Sequence, residues 1–267
     1  MVRYFILDID GCVTIPFQSP DWTAITRIRD LQQQSKYDEH VPALSLCTGR
    51  PLPYTEAVAQ WLGIRNTIIF ESGGGFYHPI TNELTWSPHF SDEIRRKSLE
   101  LRKWFQDDVL SRFPGVMLEF AKKTDVGMVH TDINEIRKVY DIAVEKIADG
   151  YPEFEAHYTE VSVNIIVKAC NKASGLQFFA DEHGVTADEI AYIGDSSGDT
   201  MALEWAGAPY APANAIEEVR KRADVMNGKA TRGVLEAYQQ IIARNMKNMS
   251  GNNVPAQHKQ NTASEDQ

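Results

Sequence analysis

Short apolar runs, rich in β-branched and aromatic residues, alternate with helix-length segments at both ends of the chain. Residues 3–9, 41–47, 67–70, 190–194 and 207–210 make up the runs, and segments 21–35, 51–62, 174–182, 200–205 and 214–222 carry helical spacing. Apolar strands alternating with helices imply a parallel sheet covered on both faces, an α/β core. Pro51 suits a first helical turn, where its missing N–H costs nothing. Asp21 is placed to cap the segment that follows it.

The middle of the chain breaks this rhythm. Residues 91–113 place Ile94, Leu101, Trp104, Phe105 and Phe113 at helical spacing, with Asp92 and Glu93 in the first turn where the dipole favours them. Two strand-like runs follow, 116–121 and 125–131, turning at Lys122-Lys123. A second helix is expected over 133–148, stopping at Gly150, and then two more runs at 153–158 and 161–167. In the last, Val161, Val163, Ile165 and Val167 alternate with Ser162, Asn164, Ile166 and Lys168, the mark of a sheet with one buried face. The order α-β-β-α-β-β describes a compact α+β unit inserted at 83–168 between core segments 1–82 and 169–244. Residues 245–267 are poor in large apolar side chains, and the expectation there is a disordered tail.

Charge and composition narrow the partners. A net charge of −10 argues against a nucleic-acid backbone, while leaving room for a local pocket that binds a small anion. No apolar stretch approaches the roughly 18–20 residues that a membrane span needs. Three cysteines at unrelated spacings form neither a disulfide framework nor a zinc site. A cytoplasmic protein with reduced thiols is the expectation.

In open parallel sheets, ligands bind beyond the carboxyl ends of the strands. Here those ends carry chemistry. The first run ends in Asp8-Ile9-Asp10-Gly11, where residues two apart share a face and Gly11 lets the chain turn away. The second ends in Thr48-Gly49-Arg50 before a helix, where a hydroxyl and free N–H groups suit a phosphate. Lys172 opens the helix after the insertion and offers a compact positive charge. Gly194-Asp195-Ser196-Ser197-Gly198-Asp199 adds two further carboxylates. Four carboxylates gathered in one cleft would repel strongly without a counter-ion, and Mg2+ fits that conflict. Asn227-Gly228-Lys229-Ala230 is not a P-loop, since the earlier glycine is missing and Ala stands for Ser or Thr. Cys12 and Cys47 are read as small buried packing groups.

With these four motifs in this order, the chain resembles the haloacid dehalogenase-like hydrolases, in the class whose α/β cap lies between the second and third motifs. It is similar to archaeal phosphoglycolate phosphatases and more loosely to sucrose-phosphate phosphatases. Glu71-Ser72-Gly73-Gly74, Asn214-Ala215 and Ala223-Asp224-Val225 before Gly233-Val234 agree. Cys12 stands where the family usually has Thr, Ala173 where Gly often follows the lysine, and Gly198 where Asn is frequent. The resemblance implies a Rossmann-like core, a cap, and a phosphatase acting on a small phosphorylated metabolite through an aspartyl-phosphate. It makes Asp8 the nucleophile and Asp10 the acid and base. Thr48, Gly49, Arg50 and Lys172 would then hold phosphate. Asp8, the carbonyl of Asp10, and Asp195 would hold Mg2+, with Asp199 as a ligand or anchor. Ser162 and Asn164, with Arg50 or Lys122, are the candidates for reading the leaving group. A sugar phosphomutase and a non-catalytic phospho-ligand-binding protein stay open as alternatives.

Overall fold

The computed structural model describes residues 1–159 and 161–252. Along the first half run β1 (Tyr4–Leu7), α1 (Trp22–Gln34), β2 (Ala43–Leu46), α2 (Leu52–Leu62), β3 (Ile68–Phe70), β4 (Gly75–His78), β5 (Glu83–Trp86) and α3 (Asp92–Trp104). Then come β6 (Met117–Leu118), β7 (Val126–Val129), α4 (Ile133–Ala148), β8 (Phe154–Tyr158), β9 (Ser162–Val167) and α5 (Lys172–His183). The chain continues through β10 (Ile190–Ile193), α6 (Thr200–Trp205), β11 (Ala208–Ala211), α7 (Glu217–Arg220), β12 (Asp224–Val225) and α8 (Thr231–Asn252).

The central sheet is parallel, in the order β12-β11-β10-β1-β2. A bridge between Cys47 and Ile69 brings β3 alongside its β2 edge. Alternation along β1 divides the core. Phe5 and Leu7 pack with α1, α2 and α8 on one face, while Ile6 packs with α5, α6 and α7 on the other. Each face therefore buries apolar area, the main driving force for layering of this kind.

Helix ends follow local chemistry. Asp21 accepts the Ala24 N–H at 3.1 Å to start α1, and Ser91 accepts the Ile94 N–H to start α3. α5 begins at Lys172, two residues ahead of the expected 174, because Asn171 and Ser174 form a reciprocal capping box. α7 spans only Glu217–Arg220 rather than 214–222. Asn214 is drawn away, giving its amide to the Gly11 carbonyl at 2.9 Å and accepting the Ala230 N–H at 2.7 Å.

The second antiparallel unit is a four-stranded sheet in the order β6-β7-β9-β8, with α3 and α4 on one face. Val163, Ile165 and Val167 of β9 join that apolar cluster, so the alternation read in the sequence faces its helices. The helix expected over 91–113 departs from α geometry at Phe105–Val109, a π turn that keeps Phe105 and Val109 both buried. The strand expected over 116–121 is cut to Met117–Leu118, because the chain turns off the sheet to bury Lys122.

Two features were not anticipated. β4 and β5 form a hairpin continuing from β3, turning through Asn82 at φ +57°. Residue 83 thus opens a hairpin strand, and the cluster under the four-stranded sheet starts at Phe90. The tail expectation needs correction. α8 carries through Asn252, and Asn245 is fully buried, donating to the Val2 and His40 carbonyls at 2.8 and 2.9 Å and accepting the Val2 N–H at 3.0 Å. A polar residue there fastens the chain just ahead of β1 rather than marking disorder. Residues 253–267 of that expectation lie outside the described residues.

Candidate active site

The register of the central sheet gathers the motif residues at one end. Leu7 is level with Leu46 and Ile193, so Asp8, Cys47 and Gly194 leave their strands side by side. The Asp8 N–H is held by the Ile193 carbonyl at 3.0 Å, and the side chain is buried. Gly11 turns at φ +76°, and a Cβ there would lie 2.0 Å from the Asp195 Oδ2. Only glycine lets the first and fourth motifs approach this closely. Asp8, Cys12 and Asp195 offer ligand atoms all within 4.8 Å of one another.

Lys172 sits at the centre of this group. Its Nζ lies 2.9 Å from Asp8 Oδ1 and 2.5 Å from Asp199 Oδ1. Burial acts to lower its pKa, but Asp199 and Asp8 outweigh it and hold the ammonium well above the usual lysine range. Asp199 is wholly buried. Its Oδ1 accepts from Lys172 and, at 2.5 Å, from the Tyr192 hydroxyl. Its Oδ2 accepts the Asp195 and Ser196 N–H groups and the Ser196 hydroxyl at 3.0–3.1 Å. With five donors around it, Asp199 is an anchor for Lys172 and for the loop that carries Asp195.

The electrostatics leave a deficit of positive charge. Burial pushes the Asp8 carboxyl up to about 7; Lys172 opposes this, while Asp199 and Asp10 add to it. Burial, then Asp199 and Asp8, pushes Asp195 up to about 8. Two carboxyls that resist ionising, side by side against one ammonium already shared with Asp199, are the donor set of a hard divalent cation. The Cys12 thiol is driven upward by burial and then by Asp195, Asp8 and Asp199, so it stays protonated and is a poor ligand for such an ion. Asp8 and Asp195 therefore fit Mg2+, with Asp199 behind them.

The remaining motif residues flank this centre. Arg50 grips Asp10 in a two-pronged pair, Nε to Oδ2 at 2.6 Å and Nη2 to Oδ1 at 2.9 Å, and lies 4.9 Å over the Tyr54 ring. Thr48 is buried, with its Oγ1 accepting the Arg50 N–H at 3.2 Å and its carbonyl accepting the Ser72 N–H at 2.9 Å. Gly49 passes close to Ser72, whose Oγ would lie 3.3 Å from an added Cβ. Lys122, Ser162 and Asn164 do not touch this centre; they form their own cluster on the four-stranded sheet.

Sequence reasoning overlooked Tyr192, Glu119 and the task of Glu71. Glu71, at φ +47° and buried, extends from the core into the inserted unit. Its Oε2 accepts the Lys123 and Thr124 N–H groups at 2.8 and 2.6 Å and the Thr124 hydroxyl at 2.8 Å. A buried carboxylate within a Glu-Ser-Gly-Gly turn was the available signal for it.

Known proteins share both sequence and architecture with this chain. A family model described as haloacid dehalogenase-like hydrolase matches residues 115–237, a span that includes Lys172, Asp195 and Asp199. A protein of Methanopyrus kandleri named phosphoglycolate phosphatase is 27% identical over 85% of this chain and 90% of its own length. One of the same name from Methanococcoides burtonii is 28% identical over 92% and 99%. The sucrose-phosphatase of Synechocystis, solved with sucrose and phosphate, superposes with a TM-score of 0.67 at 15% identity, over 90% of this chain and 98% of that one. That likeness speaks to the fold: a parallel-sheet core with an α+β cap. The chain thus matches the haloacid dehalogenase-like hydrolase model over residues 115–237 and is similar to proteins named phosphoglycolate phosphatase over most of its length.

Proposed function

We propose that the chain is a Mg2+-dependent phosphatase that releases phosphate from a small phosphorylated metabolite through an aspartyl-phosphate on Asp8. The observation that carries this reading is the surplus of buried carboxyl groups around Lys172, with Asp8 and Asp195 within 4.8 Å of each other. The names of the relatives and the sucrose and phosphate held by the fold neighbour point the same way.

Asp8 Oδ attacks phosphorus, forming an O–P bond as the ester P–O bond breaks. Asp10 gives its proton to the leaving alcohol oxygen, then takes one from the water that attacks the aspartyl-phosphate. Arg50, bound to both oxygens of Asp10, fixes where that carboxyl points. Lys172 and the Thr48 hydroxyl hold the equatorial phosphoryl oxygens, and Asp199 keeps the ammonium in place. Mg2+ bound by Asp8, Asp195 and the Asp10 carbonyl would neutralise the charge of substrate and nucleophile as they meet. Phosphate itself comes free, which separates this reading from a phosphomutase. Three buried free cysteines accord with a reducing, cytoplasmic setting.

The test is inorganic phosphate release from a panel of phosphate monoesters, with Mg2+ and with a chelator. Release that needs Mg2+ and is stoichiometric with alcohol is the expected result. Transfer of phosphate to a second sugar without release would replace this reading with the mutase.

A further inference from the structure

A second buried lysine lies on the four-stranded sheet, and its surroundings say what kind of leaving group fits there. Lys122 is 3% exposed. Its Nζ donates to Asn164 Oδ1 at 2.5 Å and lies 3.1 Å from Glu119 Oε2 and 3.9 Å from Asp125 Oδ2. Gly127 makes room for this group, since a Cβ there would lie 2.2 Å from Glu119 Oε2 and 3.0 Å from Asn164 Oδ1. Gly127 pairs with Asn164 across β7 and β9, so the cluster rests on the sheet face opposite the apolar one.

Two contacts tie this face to the catalytic centre. The Glu71 N–H donates to the Arg50 carbonyl at 3.0 Å, beside the residue that grips Asp10, and the Glu71 Oε2 accepts the Lys123 and Thr124 amides of the turn that carries Lys122. A polar chain therefore runs from Asp10 through Arg50 and Glu71 to the turn that carries Lys122, and from Lys122 to Glu119 and Asn164.

Along that chain the cations are already committed. Arg50 has given its fork to Asp10, and Lys122 has given its donors to Glu119 and Asn164. The neighbouring Lys123 turns its amide into Glu71 and is itself solvent-exposed. What stands open is an acceptor. Glu119 uses Oε2 on Lys122, and its Oε1 has no hydrogen-bond partner among the described residues. A carboxylate oxygen can only accept, so it attracts O–H donors and repels a second anion.

Resting on the phosphatase reading above, we propose that the substrate's leaving group is a neutral polyol or sugar, whose hydroxyls donate to Glu119 and exchange hydrogen bonds with Asn164, and not a carboxylic acid. Lys122 is then a positioning residue that orients both. The proposal departs from the acid phosphate in the relatives' name.

The experiment measures kcat/KM with Mg2+ for glucose 6-phosphate, glycerol 3-phosphate, phosphoglycolate and p-nitrophenyl phosphate, in the wild type and in Glu119→Gln. The wild type is expected to favour one of the two hydroxylated esters over phosphoglycolate by about tenfold or more, the size of one misplaced charge. Glu119→Gln should narrow that ratio severalfold, chiefly by gain on phosphoglycolate. Should that variant fail to fold, Asn164→Ala replaces it and is expected to raise KM for the hydroxylated ester alone. Equal or better turnover of phosphoglycolate by the wild type overturns the proposal, as does a ratio that neither variant moves. Loss of all turnover, p-nitrophenyl phosphate included, instead removes the phosphatase reading on which it stands.

Discussion

Two lysines are buried among acids in this molecule, and they are buried differently. Lys172 begins a helix at the end of the parallel sheet and lies between Asp8 and Asp199, with Asp195 close by. Lys122 lies in a turn over the antiparallel sheet, between Glu119 and Asn164. Around Lys172 the acids outnumber the cation, and burial pushes Asp8 and Asp195 upward, which suits the metal and phosphoryl group proposed for it. Around Lys122 the ammonium faces Glu119 and Asn164, while burial drives the Asp125 carboxyl well above its usual range. One cluster is short of positive charge; the other pairs its lysine with Glu119 and leaves one carboxylate oxygen open. In the proposed reading, catalysis and selection fall to separate lysine clusters, joined through Arg50 and Glu71.

The sharpest break of this comparison is chemical. Asp8→Asn should abolish phosphate release, by about a thousandfold or more, while unfolding temperature holds or rises because one buried acid is gone. Activity surviving that change would take the nucleophile elsewhere.

The two lysines should also differ in stability. Lys172→Met strands Asp8 and Asp199 without their cation and should cost about 3 kcal/mol or more in urea unfolding. Lys122→Met leaves Glu119, which is 15% exposed, able to reach water, and should cost about 1–2 kcal/mol. Equal losses would mean the clusters are not electrostatically distinct.

A pH series sharpens the same point. The folded-state values of Asp8 and Asp195, about 7 and about 8, lie above the ordinary carboxyl value of 3.8. The folded metal-free chain therefore binds more protons than the unfolded one between those limits. Its stability is greatest below about pH 4 as far as these groups decide, and is lost as pH rises through 7 and 8. Melting curves in chelator should fall over that interval, and added Mg2+ should restore most at the alkaline end. A Mg2+ increment that shrinks with rising pH would contradict the donor set.

The smallest effect is expected at the joint between the two regions. Glu71→Gln keeps an oxygen for the Lys123 and Thr124 amides but removes its charge, worth about 1 kcal/mol in unfolding and a severalfold rise in KM. A change in kcat with KM untouched would place Glu71 in the chemistry instead of in the alignment of the cap.

The sheet and the motif residues were legible because each signal is local. A short apolar run that ends in a polar residue or glycine declares a strand end, and parallel pairing then does the gathering. Asp8, Asp195 and Lys172 could be brought together on paper for that reason. The division of labour inside the group was not legible: that Asp199 spends its oxygens on Lys172, Tyr192 and the Ser196 loop depends on contacts across three elements. Of the Lys122 cluster, Lys122, Ser162 and Asn164 were named as candidates, while Glu119 and Asp125 were not, since their approach to Asn164 depends on the β7–β9 register. The β4–β5 hairpin was missed because its runs are short and half-exposed. The C-terminal helix was not read, and its last turns were taken for tail because residues from 245 are poor in large apolar side chains; Asn245 is instead held by the Val2 and His40 carbonyls.

The most direct test of the account is where the phosphoryl group goes. Turnover quenched in acid, followed by peptide mass spectrometry, should find one phosphoryl group on the peptide carrying Asp8, only with Mg2+ present, and absent in Asp8→Asn. A phosphoryl group on any other residue, or phosphate release at full rate with Asp8 never modified, would contradict it.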